Sequence, residues 1–409
     1  MNWDLYVRLS ALMSMEYAVW AAWAPVLAAR LLGPLKMSGK QTGWIYATLP
    51  LASMASPLFA GQLADKYFDT GWVLAAAHLA GAVLLYLAIR QKTFGRLFVV
   101  MLLYSLCYAA TIPLVNALMF RHLPDADKSS EIFIWAPIAW ALIGYFLTGW
   151  RSLRKSEGDG SDCLALASAL SVLMVVVCLL QPATPPKPTA GTPMVQALGM
   201  LRDVPFAIFI GVSLLVSGTM QFYFLGTARF MQDVRIAGKN VPAAMGMAQA
   251  AQALATWFLL DLFKNNLGIQ ATLVIGVASW LALYVIYALT KARWLIVLAQ
   301  TLHGLAYVFF IIAGQIYVNS VAKASFKSSA QALIILVTTG ISLFLGTQLA
   351  GVTMDKFCRD GRFHWGKIWA VPLVITLAGV LVLATAFRPV VAEKAPAKSK
   401  TPASAVEKA

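Results

Sequence analysis

The segment PATPPKPTAGTPMVQALGMLRDV, residues 182–204, carries five prolines and separates two long stretches of apolar sequence. Within each stretch, apolar runs are bounded by charged residues, glycine or proline, and each run is long enough to cross roughly 30 Å of hydrocarbon as a helix. The predicted spans are 5–32, 41–64, 71–90, 97–120, 131–150, 163–181, 205–231, 241–263, 269–290, 294–317, 329–354 and 368–387. The chain is therefore predicted to be an all-α integral membrane protein with twelve transmembrane helices, six on each side of the connector.

The composition supports this prediction. Of the 409 residues, 60% belong to the set AVILMFWYC and only 12% are charged, with a mean hydropathy of +0.73. A soluble domain of ordinary composition carries about 25% charged residues. The apolar runs are continuous rather than alternating, which excludes a transmembrane β-barrel and leaves no room for a sizeable soluble domain. The first run is too long for a cleaved signal peptide and is expected to remain as the first span.

The excess of basic residues is interpreted as anchoring at the membrane surface. The 32 Lys and Arg residues give a net charge of +15, and because most lie between apolar runs, no nucleic acid partner is expected. An even number of spans places both termini on one side, with 14 Lys and Arg on that side and 18 on the other. This bias weakly favours termini outside the cell, whereas the proline-rich connector and the polar tail favour the cytoplasm.

Two six-span halves joined by a connector are the plan of transporters that bind a solute near the bilayer midplane and rock around it. The predicted division is a first bundle over 1–181, the connector over 182–204, a second bundle over 205–388 and a disordered tail over 389–409. We expect the partners of such a chain to be the lipid bilayer and a small-molecule solute.

A short internal repeat marks candidate gating residues. AGQLADK at 60–66 and AGVTMDK at 350–356 agree at four of seven positions. In the first copy, Asp65 and Lys66 place an acid and a base at a predicted helix end, where they could lock neighbouring helices in one state. The alternative is an interfacial helix cap.

Glu16 is the deepest acid of the first half, near the middle of the first predicted span in MEYAVWAAW. No Lys or Arg lies within seven residues of it, so a charged carboxylate there needs a partner from another span. Glu16 is therefore a candidate proton carrier; the alternative is a protonated Glu that only hydrogen-bonds to a neighbouring helix. Trp20 and Trp23 follow at i+4 and i+7 on the same face, where they could stack on a solute ring or simply pack.

Polar side chains form three stripes at helical spacing in the second half. The stripes are Met245, Gln249, Gln252 and Thr256, then Gln300, His303 and Tyr307, then Gln331, Thr338 and Ser342. They predict a polar cavity, to which Gln221 and Asn116 add amides suited to uncharged solutes. The alternative is interhelical hydrogen bonding alone, worth about 0.6 kcal/mol per bond. His78, also within a span, is interpreted as structural.

No motif of a hydrolase, a metalloprotease or a phosphate-binding loop occurs, and the 17 Asp and Glu residues lie mostly in loops. The four cysteines show neither CxxC spacing nor a paired framework. We therefore expect no enzymatic activity, no bound metal and no cofactor.

Over most of its length the chain resembles the nucleoside:proton symporters of the major facilitator superfamily. The resemblance rests on the order and spacing of EYAVWAAW (16–23), GQLADK (61–66), SLCYAATIPLVN (105–116), IFIWAPIAW (132–140), MQFYF (220–224), QAAQ (249–252), HGLAYVFF (303–310) and SSAQ (328–331). It implies two six-helix bundles around a central cavity, both termini in the cytoplasm of a bacterial cell, location in the inner membrane, and inward movement of nucleosides with protons.

The resemblance also implies substrate contacts where these motifs match. The matching positions are Phe133, Pro137, Trp140, Gln221, Phe224, Gln249, Gln252, His303 and Tyr307. Where the family has Arg, Thr, Asn and Glu, this chain has Phe133, Pro137, Phe224 and Gln252, and Val308 replaces an acid. Such exchanges change what a site binds. They also leave Glu16, together with His303, as the remaining candidates for proton coupling.

Three functions therefore stay open. The first is proton-linked uptake of nucleosides or similar polar aromatic solutes by a chain that works as a monomer. The second is transport of a sugar, a peptidoglycan fragment or an apolar drug, with altered proton coupling or none. The third is a non-transport role as a receptor or an assembly partner.

Overall fold

The computed structural model describes residues 2–123, 129–154, 159–186, 198–322, 330 and 333–389. These residues confirm the prediction of a helical membrane protein with twelve spans. In chain order, spans 1 to 12 are Trp3–Leu32, Gly39–Lys66, Thr70–Arg90, Phe94–His122, Glu131–Arg154, Asp162–Leu179, Val204–Asp233, Val241–Phe258, Leu260–Leu289, Arg293–Val321, Leu333–Lys356 and Trp365–Thr385. Within this described part, ten spans are long and apolar enough to cross a membrane individually.

Several spans are interrupted where the sequence disfavours a regular helix. Span 1 consists of two helices, Trp3–Trp23 and Leu27–Leu32, on either side of Pro25. Proline lacks the N–H that an interior helical position donates, so a break follows. Span 9 is kinked at Gly268, whose φ of 79° lies in the left-handed region that glycine tolerates.

Spans 5, 10 and 11 are also built from shorter pieces. Their pieces are Ser129–Phe133 and Trp135–Arg154, then Arg293–Leu298, Gln300–Ala306, Tyr307–Ile312 and Ala313–Val321, then Leu336–Ser342 and Leu343–Lys356. Tyr307–Ile312 and Leu336–Ser342 are π-helical. Outside the spans, Met200–Arg202 and Gly238–Asn240 form 3₁₀ turns, and Cys358–Arg359 pairs antiparallel with Arg362–Phe363.

The spans form two six-helix bundles. In the first bundle, span 2 packs on span 4, span 3 packs on spans 4 and 6, and span 1 packs on spans 5 and 6. In the second, span 9 packs on spans 10 and 12, span 8 on span 10, and span 7 on spans 11 and 12. The bundles meet mainly where span 5 contacts span 8 and span 2 contacts span 11. The exact boundaries predicted for the connector and the tail stay predictions, because residues 187–197 and 390–409 lie outside the described part.

The bundles touch through backbone atoms at the membrane face opposite the termini, here called the distal face. A Cβ atom at Gly39 would lie 2.6 Å from the carbonyl oxygen of Gly351, and one at Gly144 would lie 2.7 Å from that of Pro242. Only glycine permits such an approach. Asp355 strengthens the contact, since its carboxylate accepts hydrogen bonds from the backbone N–H groups of Gly39 and Lys40 at the start of span 2. The distal face is therefore closed.

Gly144→Leu is expected to hold the bundles apart at the distal face, because its side chain would fill the space of the Pro242 carbonyl. The measurement is labelling of a cysteine introduced by Thr148→Cys, in a chain whose native cysteines are replaced by serine. Thr148 accepts a hydrogen bond from Ala243 across this contact, so labelling by a membrane-impermeant maleimide should rise several-fold. Gly149→Leu is the matched control, since a Cβ there meets nothing within 4 Å. Equal labelling of both variants would contradict the prediction.

Candidate functional site

A cavity of about 110 Å³ lies between the two bundles, on the side of the glycine contacts that faces the termini. Spans 1, 2, 5, 7, 8, 10 and 11 contribute to its wall. Its lining residues are Tyr17, Trp20, Trp23, Ala24, Tyr46, Leu49, Pro50, Ala136, Pro137, Trp140, Ser217, Met220, Gln221, Phe224, Gln249, Gln252, His303, Tyr307, Ile311, Thr338, Thr339 and Leu343. Among these described lining residues there is no Asp, Glu, Lys or Arg, so the central cavity is polar but carries no formal charge.

Aromatic rings from both bundles form one wall of the cavity. The Trp20 and Trp140 rings meet edge to face with centroids 5.1 Å apart, and Phe224 of the second bundle lies 6.5 Å from Trp140. Trp23 also lines the cavity, but its indole N–H already donates to the hydroxyl of Tyr104 at 3.1 Å. Such a wall offers flat apolar surface to a ring-shaped solute.

Three glutamines present free amide groups to the cavity. Gln221, Gln249 and Gln252 are at most 9% exposed, yet among the described residues their side-chain amides form no hydrogen bond. Gln300 behaves differently, because its amide donates to Tyr287 and to the carbonyl of Ile296 and accepts from Tyr223. A buried polar group without a partner is costly. The three free amides are therefore ready to bind a solute, whereas Gln300 braces the second bundle.

His303 is fixed in orientation by its neighbours. Its Nδ1 accepts a hydrogen bond from the indole N–H of Trp280 at 3.1 Å, and its ring stacks on Tyr223 with centroids 3.9 Å apart. An indole can only donate, so Nδ1 carries no proton and the proton of the neutral ring lies on Nε2. Because His303 lines the cavity, this N–H is available to a solute.

The π-helical segments of spans 10 and 11 lie at the cavity. Tyr307 and Ile311 belong to one segment, Thr338 and Thr339 to the other, and all four line the wall. A π-turn inserts an extra residue into a helix and shifts the side chains that follow, and such turns are frequent at functional sites. Gln331, which the sequence grouped with Thr338, lies outside the described residues.

Glu16 is fully buried inside the first bundle, behind the cavity wall. Its Oε2 lies 2.9 Å from Nε2 of His78, and the hydroxyl of Thr111 donates to its Oε1 at 2.7 Å. The hydroxyl of Tyr108 donates to its backbone carbonyl at 2.7 Å. The partner that the sequence required from another span is thus His78, which is 2% exposed. Glu16 does not line the cavity, because its side chain points to spans 3 and 4.

Two predicted contact residues also lie away from the cavity wall. Phe133 packs its ring 6.0 Å from Phe120 and contacts the apolar cluster of the first bundle. The regular helix is interrupted at Ile134, between Phe133 and Trp135. Asn116 is partly buried, its Oδ1 has no partner among the described residues, and it too is absent from the lining. The side chains of Asp65 and Lys66 lie outside the described part of the chain.

Sequence reasoning missed two kinds of residue. Tyr17 and Tyr46 line the cavity although neither was predicted; the i+3 spacing of Tyr17 and Trp20 could have indicated the former. Asp355, which joins the bundles at the distal face, was missed as well. In the second copy of the repeat, Asp355 stands at the position that Asp65 has in the first copy, so the repeat could have indicated it.

Two helical bundles that enclose a polar, uncharged cavity and meet through close glycine contacts define a secondary transporter of the major facilitator class. A family model described as nucleoside H⁺ symporter matches residues 3–391, and the chain belongs to this family of transporters rather than to a class of enzymes.

Relatives agree with this assignment along nearly the whole chain. The putative nucleoside transporter YegT of Escherichia coli is 30% identical over 399 residues, 92% of each chain. The nucleoside permease NupG of Escherichia coli is 26% identical over 386 residues, 90% of this chain and 92% of the permease. A crystal structure of NupG superposes with a TM-score of 0.81 at 23% identity, covering 94% of this chain and 98% of that one. The predicted fold and the resemblance are thereby confirmed.

Gln249→Ala is expected to weaken solute binding roughly five- to tenfold, because one hydrogen bond to the solute is lost, while the melting temperature hardly changes. Gln300→Ala is the matched control of the same residue type. It leaves the hydroxyls of Tyr223 and Tyr287 without their amide partner and should lower the melting temperature by several degrees. Ligand-induced thermal shift in detergent measures both effects. A reversed pattern would show that the free amides are not the binding groups.

Proposed function

We propose that the protein takes up nucleosides together with protons by alternating access through the central cavity. The observation that supports the proposal is the set of three glutamine amides that face the cavity beside an aromatic wall and have no protein partner among the described residues, between bundles that meet at the distal face. A nucleoside combines a flat base with amide-like edges and a ribose with hydroxyl groups, and it matches both features. The names of the two Escherichia coli relatives support the same solute class.

Each group of lining residues has a separate role in this proposal. Gln221, Gln249 and Gln252 hydrogen-bond to base edges or ribose, Trp20 and Trp140 stack on the base, and Trp23 and Phe224 complete the apolar wall. The Nε2–H of His303 and the hydroxyl of Tyr307 provide further polar contacts. Phe133 and Asn116 are left out because neither lines the cavity.

The uncharged lining supports selection for uncharged solutes. Moving an ion from water into a site without a counter-charge costs several kcal/mol. The described wall offers none, and two of its residues, Phe224 and Gln252, stand where the resemblance implies Asn and Glu. We therefore infer that uncharged nucleosides are carried and that nucleotides are excluded.

We further propose that the proton is carried by Glu16 together with His78. The two side chains are 2.9 Å apart and almost completely buried. With one proton shared between them the pair is neutral overall, whereas loss of that proton leaves a net negative charge in an apolar bundle. The other titratable groups that face the pair are Tyr17, Tyr104, Tyr108 and Cys178. None of these supplies a compensating positive charge, so proton release requires the bundle to open or hydrate.

Proton binding and solute binding are linked through aromatic contacts in this proposal. The Tyr108 ring packs edge to face on His78 with centroids 6.2 Å apart, and it lies 6.3 Å from Trp20 in the cavity wall. A change in the protonation of the Glu16–His78 pair is therefore passed through Tyr108 to Trp20 in the cavity wall, without direct contact between the pair and the solute. His303 is assigned to solute binding instead, because a doubly protonated imidazole would have to give up the hydrogen bond from Trp280.

We also propose that the chain acts as a monomer in the inner membrane with both termini in the cytoplasm. One chain supplies the complete wall of the cavity, which supports the monomer. The maleimide experiment at Thr148 reports on the orientation, because an impermeant reagent reaches the distal face of intact cells only if that face is periplasmic. Asp65 and Lys66 remain proposed gating residues at the opposite face.

Reconstituted protein is expected to accumulate labelled uridine and adenosine when the outside of the vesicles is acidic, and to leave AMP outside. The physical reason for the exclusion is the lack of a cation in the lining. The measurement is uptake into proteoliposomes with and without a pH gradient, with empty liposomes as the control. No uptake of either nucleoside under any gradient, together with thermal stabilisation by sugars alone, would replace nucleosides by a sugar as the solute.

Glu16→Gln is expected to abolish gradient-driven accumulation while leaving nucleoside exchange measurable. The reason is that a glutamine amide does not bind and release a proton as a carboxyl group does. The ratio of internal to external nucleoside should fall to about 1, the equilibrium value for an uncoupled carrier. His303→Gln is the control, since it should weaken binding and still allow accumulation at saturating solute. Accumulation by Glu16→Gln at the level of the unmodified protein would mean that another group carries the proton.

A further inference from the structure

A second large cavity opens at the distal face and belongs entirely to the second bundle. It measures about 990 Å³ and is lined by residues within 229–235, 287–293 and 361–367. These segments are the ends of spans 7 and 9 with the loops that follow them, and the hairpin before span 12. We call this cavity the distal vestibule; it shares no lining residue with the central cavity.

The distal vestibule is strongly basic. The Lys and Arg residues that line it are Arg229, Arg235, Lys291, Arg293, Arg362 and Lys367. Its one lining carboxylate, Asp233, is already engaged, since it lies 3.0 Å from Arg229 and accepts a hydrogen bond from the indole of Trp365 at 2.9 Å. Within the described part of the chain, the other five basic side chains have no ion-pair partner.

A neighbouring cavity at the same face provides a contrast. It measures about 450 Å³ and also contains arginines, but Arg30 pairs with Asp159 at 2.7 Å, and Arg151 pairs with Asp162 at 2.7 Å. Burial alone would raise the pKa of Asp159, but hydrogen bonds from Ser161 and the nearby Arg30 hold this pKa below its usual value. Two of the three arginines of this neighbouring cavity are thus paired with carboxylates of the chain, whereas Arg235, which lines both cavities, is not paired within the described residues.

The backbone at Arg235 supports a functional origin for this charge. Arg235 has a φ of 67°, in the left-handed region, where a residue with a Cβ costs roughly 1–2 kcal/mol and glycine does not. The Arg235 side chain lines both distal cavities. The left-handed backbone conformation disfavours an arginine at position 235, and we attribute the presence of this residue to its charge.

Apolar and aromatic residues line the vestibule together with Thr290 and His364, at the level where spans end. Its wall includes Phe230, which packs with ring centroids 5.1 Å from Tyr287 and 5.4 Å from Trp365. Leu289, which also lines it, is 81% exposed, and nearby Trp294 is 70% exposed. An exposed Trp beside an exposed Leu is typical of the boundary between hydrocarbon and lipid headgroups. The vestibule therefore opens toward the bilayer surface.

We propose that the distal vestibule is a phosphate-binding site whose occupant is the headgroup of an anionic phospholipid. Guanidinium and ammonium groups bind phosphate oxygens through charge-assisted hydrogen bonds. The exposed Leu289 and the partly exposed ring of Trp365 contact the upper part of the acyl chains, whereas Phe230 and Tyr287 are buried behind them. A soluble phosphate compound has the same anionic group and is the competing source, but it would leave this apolar surface uncovered.

The test compares two triple variants of the full-length protein, purified and delipidated in a neutral detergent. The first is Lys291→Gln, Arg293→Gln and Arg362→Gln in the vestibule. The matched control is Arg90→Gln, Lys92→Gln and Arg96→Gln, which removes three cations from the same membrane face of the first bundle. Native mass spectrometry and thermal unfolding are recorded with phosphatidylglycerol, cardiolipin, phosphatidylcholine, inorganic phosphate and AMP. Monodisperse elution of each variant before lipid is added serves as the folding check.

Phosphatidylglycerol and cardiolipin are expected to bind and stabilise the unmodified protein and the control, and to bind the vestibule variant roughly 100-fold more weakly. Phosphatidylcholine should not distinguish the proteins. Loss of binding for AMP or inorganic phosphate, with no loss for the lipids, would keep the phosphate site and overturn the lipid as its occupant. Equal binding of every anion to both triple variants, or none to the unmodified protein, would overturn the site itself.

Discussion

Hydrocarbon offers no hydrogen-bonding partner, so every polar side chain within the membrane needs one from the protein, from water or from a solute. The structure satisfies this constraint in two ways. Gln300 and Glu16 are bound by neighbouring side chains, which makes them internal supports of their bundles. Gln221, Gln249 and Gln252 face empty space without a protein partner in the described part of the chain. The amide of Gln300, which has protein partners, therefore supports the bundle, whereas the amides of Gln221, Gln249 and Gln252 are left to the cavity.

Movement between the bundles depends on how little side-chain material lies in their contacts. At the distal face, glycines bring backbones together and Asp355 binds free N–H groups at the start of span 2. Such a contact can break without repacking a large side chain. Near the cavity, the π-helical turns in spans 10 and 11 interrupt regular hydrogen bonding beside the lining residues. The contacts that close the distal face and the irregular helical turns beside the cavity therefore lie at different depths of the membrane.

The sequence predicted all twelve spans because hydrophobic length is a local property, and helical spacing together with the family resemblance indicated most of the polar and aromatic residues that line the cavity. It could not predict which neighbour covers a given helix face. Glu16 and Trp20 share a face by spacing, yet His78 and Thr111 enclose the first while the second reaches the cavity. Phe133 lies away from the cavity for a related reason, since its ring packs on Phe120. The spacing of residues along a helix predicts which side chains share one of its faces. The residues that contact this face depend on how the other helices pack.

The separation of the Glu16–His78 pair from the cavity has a consequence for how such carriers diversify. Residues that contact cargo can be exchanged, as at Phe224 and Gln252, without disturbing the buried acid and its imidazole partner. Under the coupling proposed for Glu16, a change of this one side chain would remove the driving force and leave the residues of the cavity wall unchanged. Choice of cargo and choice of driving force are then free to drift independently, which suits a scaffold reused for many nutrients.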